Sequence, residues 1–191
     1  VTFDIVLAGV GGQGVLSVSA VIAAAALEAG LQVKQSEVHG MAQRGGAVQA
    51  HLRLADRPIA SDLVSRGSAS LLLGMEPLEC LRYLEFLSPD GAVVTATAPV
   101  LNIRDYPPLE QVLQVIAGLP RAVLVDAERL ARQAGSARAV NMVMVGAASP
   151  VLPVAPDAIE RQIQARFESK GQKVVDQNLR AFRAGREAAG A

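Results

Sequence analysis

Phe3-Asp4-Ile5-Val6-Leu7-Ala8 is an almost unbroken apolar run. Such a run marks a strand covered on both faces, and it predicts a strand over residues 3–9. A glycine-rich turn follows, and the Ala- and Val-rich stretch 14–29, stopped by Gly30, predicts a helix. Residues 31–37 and 47–54 alternate between apolar and polar positions and predict two further strands, the second with one wetter face. Residues 69–74 predict a short buried strand, and Pro77 to Leu87 an amphipathic helix. Pro89-Asp90-Gly91 predicts a turn leading into a strand over 92–97. The Pro-containing stretch Ala98 to Pro108 has no periodicity and predicts an irregular surface excursion. Beyond it the pattern predicts a helix over 109–118, a strand over 121–126 and helices over 128–134 and 139–148. After the Pro150–Pro153 break come two polar-faced helices, near 156–169 and 172–188.

Strands alternating with helices predict an α/β fold, a Rossmann-like layered domain with a mostly parallel central sheet flanked by helices. At 191 residues, 51% of them hydrophobic, the chain is expected to form one domain over 1–191, with the helices of 156–188 packed on it. There is no Trp, with only two Tyr and four Phe, so Val, Leu, Ile and Ala must build the core. Eighteen basic residues balance eighteen acidic ones. That balance argues against nucleic acid or an anionic membrane as partner. No segment is long and apolar enough to read as a membrane span, and no secretory leader is read, so a cytoplasmic protein is expected. The single Cys80 excludes a disulfide or an all-cysteine metal site within the chain and reads as a small buried hydrophobe.

Two glycine segments carry the candidate chemistry. The first is Gly9-Val10-Gly11-Gly12-Gln13-Gly14, between a predicted strand and a predicted helix, where backbone amides can cradle an anion. Its spacing matches a dinucleotide fingerprint, but that fingerprint also wants an acidic residue about 20 positions on. Gln32, Val33 and Lys34 stand there instead, which argues against a nicotinamide or flavin nucleotide and leaves tight strand-to-helix packing as the competing role of the glycines. The second segment is Glu37-Val38-His39-Gly40-Met41-Ala42-Gln43-Arg44-Gly45-Gly46. Arg44 beside Gly45 and Gly46 suits a carboxylate or phosphate, or equally a carboxylate on a partner subunit. His51 lies inside an alternating strand and reads as structural. No metal-ligand spacing, Walker lysine or nucleophile elbow is present.

Together the two segments resemble the gamma domain of the 2-oxoacid:ferredoxin oxidoreductases, and the His39-Gly40-Met41-Ala42-Gln43 form resembles members that act on indolepyruvate. Asn141-Met142-Val143 and Asn178 to Gly185 are similar to the family's later helices. The resemblance covers essentially the whole chain. It implies a non-thiamine subunit of an enzyme converting an arylpyruvate, coenzyme A and oxidised ferredoxin to an arylacetyl-CoA, CO2 and reduced ferredoxin. Thiamine diphosphate and iron–sulfur clusters would sit on a large partner subunit, through which ferredoxin would act. Gly11, Gly12, Gln13, Gly14, His39, Gln43, Arg44, Gly45 and Gly46 would line a coenzyme A site or the subunit interface, and no residue takes an acid–base role. Two alternatives stay open: a stand-alone nucleotide-binding oxidoreductase domain, and a purely structural assembly subunit.

Overall fold

The computed structural model describes residues 2–39 and 45–190. The opening apolar run forms β1 (Thr2–Val10), buried from Asp4 onward. The remaining strands are β2 (Gln32–His39), β3 (Ala47–Ala55), β4 (Ala69–Gly74), β5 (Leu87–Ala96) and β6 (Ala122–Val125). They make one sheet in the order β2-β3-β1-β4-β5-β6. β1, β4, β5 and β6 pair in parallel. β3 runs antiparallel to both of its neighbours, β1 and β2, so it alone is reversed among the six. The expected mostly parallel sheet is therefore present, with one inserted antiparallel strand.

The helices are α1 (Val15–Glu28), α2 (Pro77–Arg82), α3 (Leu109–Ala117), α4 (Ala127–Gln133), α5 (Val140–Ala148), α6 (Pro156–Phe167) and α7 (Gln172–Ala188). Alternation along the strands builds a core on each face. Ile5, Leu7, Leu52, Leu71 and Leu73 join Ile22, Met142 and Phe182 of α1, α5 and α7 on one face. Val6, Leu72 and Val93 join Cys80 and Ile116 of α2 and α3 on the other. Cys80 is fully buried against Gly74, where an added side chain would collide with the Cβ of Cys80 and the hydroxyl of Thr95. α5 and α7 approach even more closely. A side chain at Gly146 would strike the carbonyl of Phe182, and one at Gly185 the carbonyl of Val143.

Two expectations are corrected. The helix expected over 77–87 ends at Arg82; a 3₁₀ turn (Leu84–Phe86) follows, and Leu87 already pairs with Ala69 in the sheet. The turn expected at Pro89-Asp90-Gly91 lies within β5 as an irregularity. The register passes from Ala69↔Leu87 to Leu71↔Ala92, so the extra β5 residues bulge out. Gly91 sits so close to the carbonyl of Ala69 and to Leu87 that no side chain fits there. The excursion 98–108 carries no helix or strand, as its composition predicted. Among the described residues no helix is long and apolar enough to cross a membrane.

Candidate functional site

β1 does not end where its hydrophobic run does. Gly11 donates to the carbonyl of Gly46 (2.7 Å) and accepts from the amide of Gly45 (3.2 Å), extending the β1–β3 ladder by a step. The chain then turns, with the Gln13 amide donating to the carbonyl of Val10 (3.0 Å). Gly12 and Gly14 take φ of 102° and 77°, in the left-handed region that favours glycine. Gly14 is the N-cap of α1 and supplies no side chain to the helix amides. Among the described residues the amides of Gly12, Gly14, Val15 and Leu16 find no hydrogen-bond partner, leaving the donors that an anion would use.

Gln13 has a different occupation from the ligand contact expected of it. Its Oε1 accepts from the amide of Val10 (2.7 Å) and its Nε2 donates to the carbonyl of Met75 (3.0 Å). Met75 in turn donates to the carbonyl of Ala8 (2.7 Å). The side chain thus stitches the carboxyl end of β1 to that of β4 and holds the turn's shape.

Clefts open on either side of the turn. One, about 330 Å³, is bounded by Gly11, Gly12, Leu16, Glu37 and Val48. The other, about 370 Å³, lies beyond the carboxyl ends of β1, β4 and β5, lined by Gly12, Gln13, Met75 and Ala96, with Glu128, Arg138 and Asn141 on its walls. The chain leaves β1 toward β2 on one side and β4 continues on the other, so this is the switch point where open α/β sheets take ligands. Asn141 presses on the turn, and a side chain at Gly14 would collide with its Nδ2. The glycine turn and the Asn141 segment, far apart in sequence and both part of the family resemblance, therefore meet here.

Of the second glycine segment, His39 closes β2 opposite Val48. Gly45 and Gly46 meet Gly11 as above. Gln43 and Arg44 lie outside the described residues. Gly45 is also held from the other side, because Asn102 Nδ2 of the excursion donates to its carbonyl (2.7 Å). The excursion itself hangs on a residue that sequence reasoning missed, Glu76. Only 1% exposed, its carboxylate caps α2 by accepting from the Glu79 amide (2.7 Å). It also accepts from the Val100 amide (3.2 Å) and the Tyr106 hydroxyl (2.5 Å). The signal present in the sequence was Glu76-Pro77, since Pro at the first helical position marks a helix start. Burial, with the Glu76 carboxylate next in line, pushes the Tyr106 phenol well above its ordinary range. Burial likewise raises the Glu79 carboxyl, offset in part by Arg82 at 3.3 Å.

The other titratable groups of the core are structural. His51 Nδ1 accepts from the Val64 amide (2.9 Å), so Nε2 carries the proton and Gln49 must present its amide oxygen to it. The ring also packs edge-on against Phe86 at 5.3 Å. Burial lowers the His51 pKa. Cys80 is pushed up to about 12 by burial, which leaves an inert thiol. Arg53 grips Asp4 with both ends of its fork (2.8 and 3.0 Å) and holds the carbonyls of Ser61 and Leu63.

With the turn, its clefts and the clasped excursion in place, comparison with known proteins is decisive. The family described as pyruvate ferredoxin/flavodoxin oxidoreductase matches residues 4–188. The chain belongs to this family. An indolepyruvate oxidoreductase subunit IorB of Archaeoglobus fulgidus is 38% identical over 189 residues, covering 95% of this chain and 92% of that one. The IorB of Pyrococcus horikoshii is 36% identical, covering 98% and 96%. Among solved structures, the pyruvate oxidoreductase subunit PORC of Thermotoga maritima superposes with a TM-score of 0.73 at 28% identity, covering 97% of this chain and 96% of that one. A 2-oxoglutarate:ferredoxin oxidoreductase of Magnetococcus marinus, with 2-oxoglutarate, coenzyme A and succinyl-CoA bound, gives a TM-score of 0.79 at 23% identity. This chain, 99% covered, matches 31% of that longer one, a likeness of fold alone. The resemblance read from the two glycine segments thus holds along the chain.

Proposed function

We propose that this chain is the small, non-thiamine subunit of an oxidoreductase that converts indolepyruvate, or another arylpyruvate, to the arylacetyl-CoA. In that reaction the bond from carbonyl carbon to carboxylate breaks, releasing CO2. The acyl carbon bonds to the coenzyme A sulfur, the thiol proton is released, and two electrons pass to ferredoxin. The observation that carries the reading is full-length kinship with indolepyruvate subunits at 36–38% identity, against 32% for a pyruvate synthase subunit PorC. Thiamine diphosphate and the iron–sulfur clusters belong to a large partner subunit, and ferredoxin acts through that partner. One cysteine in 191 residues agrees with that division of labour, since such clusters are bound by several cysteine thiolates.

In this reading the chain's own residues bind and position. The amides of Gly12, Gly14, Val15 and Leu16 are the donors for a phosphate of coenzyme A, with Gly11 and Gln13 fixing the turn that presents them. Gly45 and Gly46 brace the turn, and His39, Gln43 and Arg44 are the proposed contacts to coenzyme A or the partner. Leu16, Val38, Leu101 and Ile103 are exposed large apolar residues. All four belong to the segments at the carboxyl edge of the sheet, which suits that edge to a subunit contact.

The test is reconstitution of this chain with the large subunit that co-purifies with it. Coenzyme A-dependent ferredoxin reduction with indolepyruvate well above that with pyruvate supports the reading. The isolated chain should be colourless and inactive. Cluster absorbance in it, or indolepyruvate oxidation without a partner, overturns the division of labour. In the complex, Arg44→Ala should raise the coenzyme A requirement or weaken association by about one to two decades. Melting of the free chain should be unchanged, and a collapse in melting would make Arg44 a structural residue instead.

A further inference from the structure

A third cleft, about 380 Å³, lies between the first turn of α1, the 3₁₀ turn before α5 and the α6–α7 connection. We propose that it binds an organic phosphate. Arg138, Arg166 and Lys170 line it together, and no carboxylate does among the described residues. On the same helix as Arg166, Arg161 is paired with Glu28, and Arg183 of α7 is paired with Glu160. None of the three cleft cations has an acidic partner among the described residues. Among the described residues Arg166 hydrogen-bonds only to the hydroxyl of Ser17 (3.3 Å), and the Lys170 ammonium stands 5.5 Å from the centre of the Phe167 ring.

A structural explanation covers part of this arrangement. Arg166 lies in the last turn of α6, where a cation offsets the helix dipole. That accounts for neither Lys170, which follows the helix, nor Arg138, which comes from a different element. Like charges brought to one concave site without a counter-charge repel, and a dianion removes that repulsion through charge-assisted hydrogen bonds. The flank formed by Met142, Phe167 and Val174 is apolar, so the ligand's remaining part is a carbon framework rather than a second charge. The inference does not rest on the proposed reaction, and Arg166 and Lys170 are absent from both clefts beside the glycine turn.

The test is calorimetric titration of the full chain at low salt with adenosine diphosphate, adenosine and inorganic phosphate as probes. The diphosphate is expected to bind saturably and at least about tenfold more tightly than either of the others. The double variant Arg166→Ala/Lys170→Ala should lose at least about tenfold in affinity for it and lessen the salt dependence, while melting like the parent. Three results overturn the proposal: no saturable binding up to about 10 mM, binding as tight for phosphate or adenosine alone, or binding that the double variant leaves untouched. Failure of the enzyme assay leaves this readout unaffected, so the two readings fail separately.

Discussion

Glu76 and Gln13 show how much of the site depends on single polar side chains that touch no ligand. Glu76 gives one buried carboxylate to three donors from two places: the Glu79 amide of α2, and the Val100 amide and Tyr106 hydroxyl of the excursion. Glu76→Gln sets an amide N–H against at least one of those donors, leaving a buried group unsatisfied. The expected cost is about 1–3 kcal/mol, read from chemical denaturation, together with faster proteolysis within 98–108. His51 makes a prediction in pH. Its folded pKa is lowered by burial, so as pH falls below the unfolded value of about 6.5 the unfolded chain takes up more protons than the folded one. Stability from this group is present above that value and is lost as pH falls toward the folded pKa. His51→Asn should flatten that part of the stability profile, whatever it does to the absolute level. At this scale the sequence was readable where the backbone dictates identity. The glycines of 9–14 announce the turn, and His51 reads as structural from its place in an alternating strand. Gln13 looked like a ligand residue because its partner, Met75, lies 62 positions away, a contact no local pattern carries.

Among the elements, the α5–α7 crossing is the most tightly specified. Gly146 and Gly185 each leave room for the other helix's backbone and nothing else. Gly146→Ala or Gly185→Ala should destabilise by about 1–3 kcal/mol or beyond, as overpacking does. Gly118 is the control. It has ordinary negative φ and nothing nearer than 3.5 Å to an added Cβ, so Gly118→Ala should be neutral or stabilising by about 0.4–1 kcal/mol. Thermal melting of the three variants checks the contrast. Helices and strands with clean periodicity, such as β1, α1 and α7, were legible to within a residue or two. The stretch 77–92 was not. Leu84, Phe86 and Leu87 continue a helical spacing, but the sheet claims Leu87 opposite Ala69, and the turn chemistry of Pro89-Asp90-Gly91 is spent on a bulge. Tertiary pairing overrode local propensity there.

For the whole molecule, layering and the location of the clefts followed from alternating strands and helices, while strand direction did not. β3 is reversed because only the short segment after His39 joins it to β2, too short for the crossover that a parallel neighbour needs. That reversal brings Gly45 and Gly46 back to Gly11, and so delivers the second glycine segment to the first. The carboxyl edge then gathers the turn, the hairpin end and the excursion with their exposed Leu16, Val38, Leu101 and Ile103. Leu101, 75% exposed, is the best probe of the proposed subunit contact. Leu101→Asp should leave the isolated chain's melting within about 0.5 kcal/mol of the parent and weaken co-purification with the large subunit. Unchanged co-purification would move the contact to another face.

The seat of Cys80 makes the molecule its own stopwatch. Pinned against Gly74 and Thr95 with a thiol that stays protonated, the chain's one cysteine cannot meet a labelling reagent until α2 lifts from β4 and β5. Only the ionised, accessible sulfur reacts, so a chromogenic disulfide reagent counts openings of this one seam. If labelling quickens with denaturant as steeply as global unfolding does, the seam opens only with the whole fold. A shallower response would mean that α2 parts from the sheet alone, loosening Glu76 and with it the strap that holds the rim of the site.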